Sequence, residues 1–256
     1  MNIITCYKLI PEEQDIEIKG DRTLNFDKAE PKISLYDLNA VEAGMQLAAA
    51  AGGDGKVTAL SVGAKRLENT KARKDILSRG PDSLTLVIDD ALDGALPHET
   101  AQALAGAARK LEYDCILCGE GSGDLYAQQV GLLLGEMLGI PVVNAISKIT
   151  PGQGCLTVER TLEHEVEVLE IPLPAVLCVT SDINVPKIPS MKAILAAGKK
   201  PVTTWKLEDV GVSAGPAPAA LVSVLAPEQA DRKKIIIEGD SDDNVAAFVE
   251  HLRKAM

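Results

Sequence analysis

Two kinds of apolar run alternate along the first half of this chain. Short, almost wholly apolar runs at Ile3 to Cys6, Val57 to Val62, Leu84 to Ile88 and Cys115 to Cys118 have the pattern of strands covered on both faces. Between them, Asp37 to Ala50, Arg66 to Ser78, Glu99 to Leu111 and Asp124 to Leu138 carry apolar residues on a helical period. In the first of these helices Leu38, Val41, Ala43, Met45 and Leu47 turn inward and Glu42 outward, with Ser34 or Asp37 placed to cap the open amides. Strands alternating with helices predict a parallel sheet, so the expected class is α/β with an open, mainly parallel sheet.

The second half reads differently. Thr157 to Arg160 and Val166 to Ile171 read as two strands, the antiparallel additions to the sheet. Ala175 to Thr180 is apolar on both faces and should be interior, yet the segment after it, residues 182–198, carries Pro186 and Pro189 among Ile183, Val185, Ile188 and Met191. Prolines forbid that segment from continuing the sheet, so it is an arm that either folds back on its own domain or is presented to another protein. A small hairpin is expected within Gln14 to Phe26, on the rim. Beyond the arm, Ser213 to Ala220 reads as a Pro/Ala linker, Lys234 to Glu238 as a strand and Asn244 to Lys254 as an amphipathic helix. Residues 1–205 are thus expected to form one domain that includes the arm, and 206–256 an appendage too small to fold alone.

With 256 residues, 46% hydrophobic and 25% charged, the chain can bury one substantial core. A formal net charge of −11 offers no general basic surface for phosphates, and 3% aromatic content offers few rings for bases, which argues against nucleic-acid binding. No apolar run approaches the roughly 18 residues of a membrane span, and no basic, apolar leader precedes the first strand. A cytoplasmic protein with no membrane span is expected. Cys6, Cys115, Cys118, Cys155 and Cys178 lie within apolar runs, as reduced thiols used as small buried groups do. Cys115 and Cys118 have C-x-x-C spacing but lie within one strand rather than at a helix N-terminus, so no redox pair is expected. His98, His164 and His251 sit in unlike contexts and show no metal-ligand spacing.

Candidate chemistry gathers at strand ends. Gly119, Gly121 and Gly123, with Ser122 and Asp124, follow the strand ending at Cys118 and precede the helix expected to hold Gln128 and Gln129. Glycines let a ligand approach the backbone, and the first amides of a following helix suit a phosphate. Neither a Walker lysine nor G-x-G-x-x-G is present, and Glu120 and Asp124 oppose further negative charge unless they bind ribose or adenine; a tight structural turn is the alternative. Cys6, at the end of the first strand, faces the loop from Ser34 to Asp37, and in an open parallel sheet such loops meet at the carboxyl ends of strands. No Ser/His/Asp arrangement, activated cysteine or carboxylate pair points to bond chemistry by the polypeptide, so a non-enzymatic role is expected.

Val158, Arg160, Glu163, Glu165 and Glu167, followed by Leu173 to Leu177 and the Pro-rich arm running to Val202, resemble the signature region of electron transfer flavoprotein beta subunits. Lys8, the stretch Tyr36 to Ala43, and Asp124 with Gln128, Gln129 and Gly131 extend the likeness over nearly the whole chain, nearest to the FixA-like branch. His164, where Gly or an acid is usual, and Ser34, where Asn is common, depart from the pattern. The resemblance implies a Rossmann-like sheet of adenine nucleotide alpha hydrolase-like architecture. It implies AMP, or in electron-bifurcating members a second FAD, held by Cys6, Ser34, Tyr36, Asp37, Val62 and the stretch Gly119 to Val130. Gly121, Ser122, Gly123, Asp124, Gln128 and Gln129 fall within that stretch.

The same resemblance implies a redox FAD held mainly by an alpha partner of FixB-like type, around which the C-terminal segment wraps. It places a flavin dehydrogenase on the arm, where Met191 with Ile188, Ile194 and Leu195 presents an apolar tip amid Lys187, Lys192, Lys199 and Lys200. The flavin then carries electrons between a dehydrogenase of acyl-CoA or carnitine type and a second carrier. Two other functions stay open on the residues: an ATP pyrophosphatase-like enzyme, which needs a phosphate-gripping Ser/Gly loop where Lys8 to Pro11 stands, and a self-dimerising adenine-nucleotide sensor, which leaves the arm and tail unexplained.

Overall fold

The computed structural model describes residues 1–213, 215, 218–228 and 233–255. β1 (Ile3–Cys6) leads into four short strands, β2 (Leu9–Pro11), β3 (Glu17–Ile18), β4 (Leu24–Asn25) and β5 (Pro31–Ile33), with β2 pairing β5 and β3 pairing β4. The expected rim hairpin is the β3–β4 pair. Alternation then runs through α1 (Leu35–Ala50), β6 (Val57–Gly63), α2 (Thr70–Ser78), β7 (Ser83–Ile88), α3 (Pro97–Ala108), β8 (Cys115–Gly119) and α4 (Val130–Leu138). β9 (Val142–Pro151), β10 (Cys155–Thr161) and β11 (Val166–Pro172) precede β12 (Ala175–Val179), the arm helix α5 (Met191–Ala197), β13 (Val202–Trp205) and the terminal α6 (Asp242–Ala255).

One sheet of nine strands runs β11-β10-β9-β12-β8-β1-β6-β7-β13. Every neighbouring pair from β9 to β13 in that order is parallel, and β10 and β11 extend the edge antiparallel. Two-sided burial explains the uninterrupted apolar runs. Ile3, Cys115 and Leu177 pack under Ala40, Ala43 and Leu47 of α1, while Ile4, Ile116 and Val176 pack under α3 and α4. Cys115 and Cys118 accordingly face opposite sides of β8 and are no disulfide pair. From β1 the chain crosses to β6 on one side and later to β8 on the other, so the crossover direction reverses between β1 and β8. In open parallel sheets such a reversal is where ligands gather, outside the carboxyl ends of the strands.

Several boundaries differ from the periodic reading. Arg66 to Ser78 is not one helix: a 3-10 turn covers Lys65–Glu68, and α2 begins at Thr70 because the Asn69 side chain accepts the Ala72 N–H at 3.0 Å. The helix expected from Asp124 starts only at Val130, since Tyr126 (φ 47°) and Gln128 (φ 55°) are left-handed and stop a right-handed helix from forming earlier. Glu42 is buried (5% exposed), not outward, because the arm lies over α1 there. Lys234 to Glu238 forms no strand; it meets no sheet edge with which to exchange backbone bonds. The linker Ser213 to Ala220 falls partly outside the described residues. Among the described residues no helix is long and apolar enough to cross a membrane.

Candidate functional site

Three segments converge where β1 and β8 end. Asp37, in the first turn of α1, is buried, and its carboxylate accepts the backbone N–H of Lys8 at 2.8 Å. Burial dominates its electrostatics and raises its pKa to about 7, against the amides of Lys8 and Gly119, which favour the ionised form. Asp37 is therefore a tie between β1, α1 and β8 rather than a cap of its own helix. Ser34 does not cap either: it makes no side-chain cap bond, and its buried hydroxyl has no partner. Gly119 is required by close approach, since a Cβ there would stand 2.7 Å from Asp37 Oδ1 and from the Tyr36 carbonyl carbon.

The glycine loop is organised by charge. Lys8 Nζ pairs with Asp124 at 2.5 Å, the Ser122 hydroxyl donates to Asp124 Oδ1, and the Leu125 N–H donates to the same oxygen at 2.8 Å. Desolvation pushes the Asp124 carboxyl up, but the bonds from Lys8 and Ser122 together outweigh it and hold its pKa below the ordinary value. The Tyr126 ring sits 5.2 Å from that of Tyr36, and its hydroxyl donates to Glu120 at 3.2 Å. Gln128 Nε2 reaches that hydroxyl at 3.4 Å.

Tyr36, Asp37, Gly119, Gly121, Ser122, Asp124 and Gln128 thus lie together in one group of contacting segments at the carboxyl ends of β1 and β8. Gly123 abuts Ile10, and Gln129 is the N-cap of α4 with no side-chain cap bond. Cys6 and Ser34 are buried, and Val62 packs with the core on the α3 side. Gln128 and Gln129 precede α4 rather than lying in it. Lys8 lies outside the residues expected to hold the nucleotide, and Tyr126 is among them only as part of the stretch Gly119 to Val130. Lys8 was within reach of the strand-end rule, for it follows β1 almost directly. For Tyr126 the resemblance marks only the stretch; the placing of its ring beside Tyr36 depends on a left-handed backbone.

α4 lies close over β8 and β12. A Cβ on Gly131 would stand 2.3 Å from Cys178 Sγ and 3.4 Å from the Cys118 Cβ. Gly131→Ala is expected to cost about 1–3 kcal/mol through overpacking, seen as a lower urea midpoint at unchanged m-value.

The arm both folds back and faces outward. Ala197 of α5 is buried with Ile76 and Leu77 of α2, and Ile183 packs beside the core under α1. Its tip stays open: Ile188 is 93% exposed, Met191 74%, Leu195 74% and Ile194 40%. Met191, Ile194 and Leu195 stand at i, i+3 and i+4, on one face of α5. The expected lysine edge is smaller than the composition suggests. Lys187, though exposed, is neutralised by Glu42, and Lys200 turns inward to donate to three carbonyls, while Lys192 and Lys199 stay exposed. Among the described residues no group of three His, Cys, Asp or Glu is placed to hold a metal ion.

The span that carries Asp37 and Asp124 at the strand ends and the whole of the arm, residues 23–210, matches the family model described as the electron transfer flavoprotein domain. It covers most of the chain, and this protein belongs to the electron transfer flavoprotein domain family.

Proposed function

We propose that this chain is the beta subunit of a heterodimeric electron transfer flavoprotein, with an adenylate, that of AMP or of a second FAD, in its strand-end cleft. Family membership supports a general role in flavin electron transfer. In this reading the sheet has the adenine nucleotide alpha hydrolase-like architecture, and the redox FAD sits mainly on a FixB-like alpha partner. Electrons pass from an acyl-CoA or carnitine-type flavin dehydrogenase to a second carrier, in the cytoplasm. The observation that carries the reading is the arm tip, a helix with its apolar face turned to solvent. Three large apolar residues on so short a helix mark a docking surface.

The cleft fits an adenylate in its donors and acceptors. Asp124 offers carboxylate oxygens to ribose hydroxyls, and Lys8 offers an ammonium. The first amides of α4 lack a side-chain cap and suit a phosphate. The flavin, when bound, supplies the electron chemistry; this chain's own groups bind and orient. Residues 1–205 form the nucleotide-binding domain with the arm 182–198, and 206–256 the segment that docks on the alpha partner. Val245, Phe248 and Leu252 support that docking, for they make an exposed apolar stripe along α6, which buries none of its residues.

Co-expression with a FixB-like alpha subunit is expected to give a yellow one-to-one complex. Acid extraction then releases either one FAD and one AMP, or two FAD, per heterodimer. A colourless chain that stays apart from the alpha subunit contradicts the reading.

A further inference from the structure

The arm rests on polar footings at both ends, and neither footing belongs to the docking tip. On the near side, Asn39 of α1 is buried and its Nδ2 donates to the carbonyls of Asn184 at 2.8 Å and Ser181 at 3.2 Å. Asn184 Nδ2 donates back to the Asn39 carbonyl at 3.0 Å. One turn along α1, Glu42 Oε1 accepts from Lys187 Nζ at 2.9 Å and from Gln46 Nε2 at 2.8 Å. On the far side, Lys200 Nζ donates to the carbonyls of Leu77, Gly80 and Pro81 at 2.9, 2.9 and 2.6 Å, at the C-terminal end of α2.

Asn39 and Glu42 make a buried polar stripe at i and i+3 on a helix whose other buried positions are mostly apolar, and the exposed Gln46 extends it at i+7. Buried amides and carboxylates are costly unless partnered, so the stripe makes sense only with the arm in place. The helix it supports has seven residues, too short to hold its shape in water without tertiary support. Glu42 also ties the arm's position to its own burial, since Lys187 is the cation that compensates it.

We propose that Asn39, Glu42 and Lys200 are positioning residues that hold the docking arm in its presenting shape, so that a partner dehydrogenase meets a preformed helix rather than a strand of coil. Preorganisation of this kind lowers the ordering cost at association. The inference rests on the proposed docking role only for its consequence; the clamp itself is a property of this chain alone.

Hydrogen exchange on the full-length chain, without partner or nucleotide, tests the clamp directly. Wild-type amides of residues 194–200 are expected to be protected, and Asn39→Ala, Asn184→Ala and Lys200→Met to exchange there about tenfold faster, with the β1, β6 and β8 amides unchanged. Asn184→Ala lies on the arm itself and serves where Asn39→Ala perturbs α1. Equal arm protection in all three variants and wild type overturns the proposal. In the heterodimer the same variants are expected to raise KM for the dehydrogenase and leave kcat in place. If wild type shows no dehydrogenase-driven reduction while the exchange result holds, the docking role fails and the clamp stands.

Discussion

Asp37→Asn is expected to abolish a pH dependence of stability that the native chain carries between about pH 4 and pH 7. The carboxyl's pKa in the folded protein is raised from 3.8 to about 7 by burial. A raised pKa means that the folded state binds the proton more tightly than the unfolded one. This contribution is therefore full below about pH 4, is lost as the pH climbs to about 7, and is constant above it. The difference amounts to at most about 4 kcal/mol. Asparagine keeps the shape and an oxygen for the Lys8 amide but does not titrate. Urea unfolding of both proteins at several pH values should show the stability difference moving in favour of the variant up to pH 7 and level beyond pH 8. Asp37→Ala is expected to differ, because it leaves the Lys8 amide without its acceptor at every pH, at about 1–3 kcal/mol. A native-to-asparagine difference that stays flat from pH 4 to 7 would show that the carboxyl does not titrate in a buried setting.

Met191→Glu and Leu195→Glu together should reduce dehydrogenase-driven reduction of the heterodimer's flavin by roughly 100-fold in kcat/KM. Both side chains are mostly exposed, so the unfolding free energy should change by less than about 0.5 kcal/mol. Two carboxylates on an apolar docking face lose the packing of the tip and bring uncompensated charge into a drying interface. The loss should appear chiefly in KM, with flavin content and heterodimer mass unchanged. Stopped-flow absorbance of flavin reduction reads it directly. Native rates in the double variant would remove the arm from the docking interface.

Much of the layering was legible because periodicity records how many faces of an element are covered. Ile3 to Cys6, Ser83 to Ile88 and Cys115 to Gly119 are apolar on both faces because α1 and α2 cover one side of the sheet and α3 and α4 the other. The glycine loop and the segment at Asp37 were also legible, since glycines and a helix start after strands mark where ligands gather in parallel sheets. Helix limits were less so. Gln128 and Gln129 fit a helical pattern, yet the left-handed turn at Tyr126 and Gln128 postpones α4.

Glu42 shows the limit most clearly. On a helical wheel a glutamate belongs outside, and nothing near it in the chain says otherwise. Its ionic partner is Lys187, and the hydrogen-bond partner of Asn39 is Asn184, 145 positions away. Lys200 likewise reads as one of a surface lysine run, and only its approach to Pro81, 119 positions off, makes it an internal donor. The residues alone were enough for strands, layers and the apolar content of the arm, because each depends on neighbours within a few positions. Which polar groups are buried, and what the arm stands on, depends on contacts between distant segments, and local pattern carries no record of those.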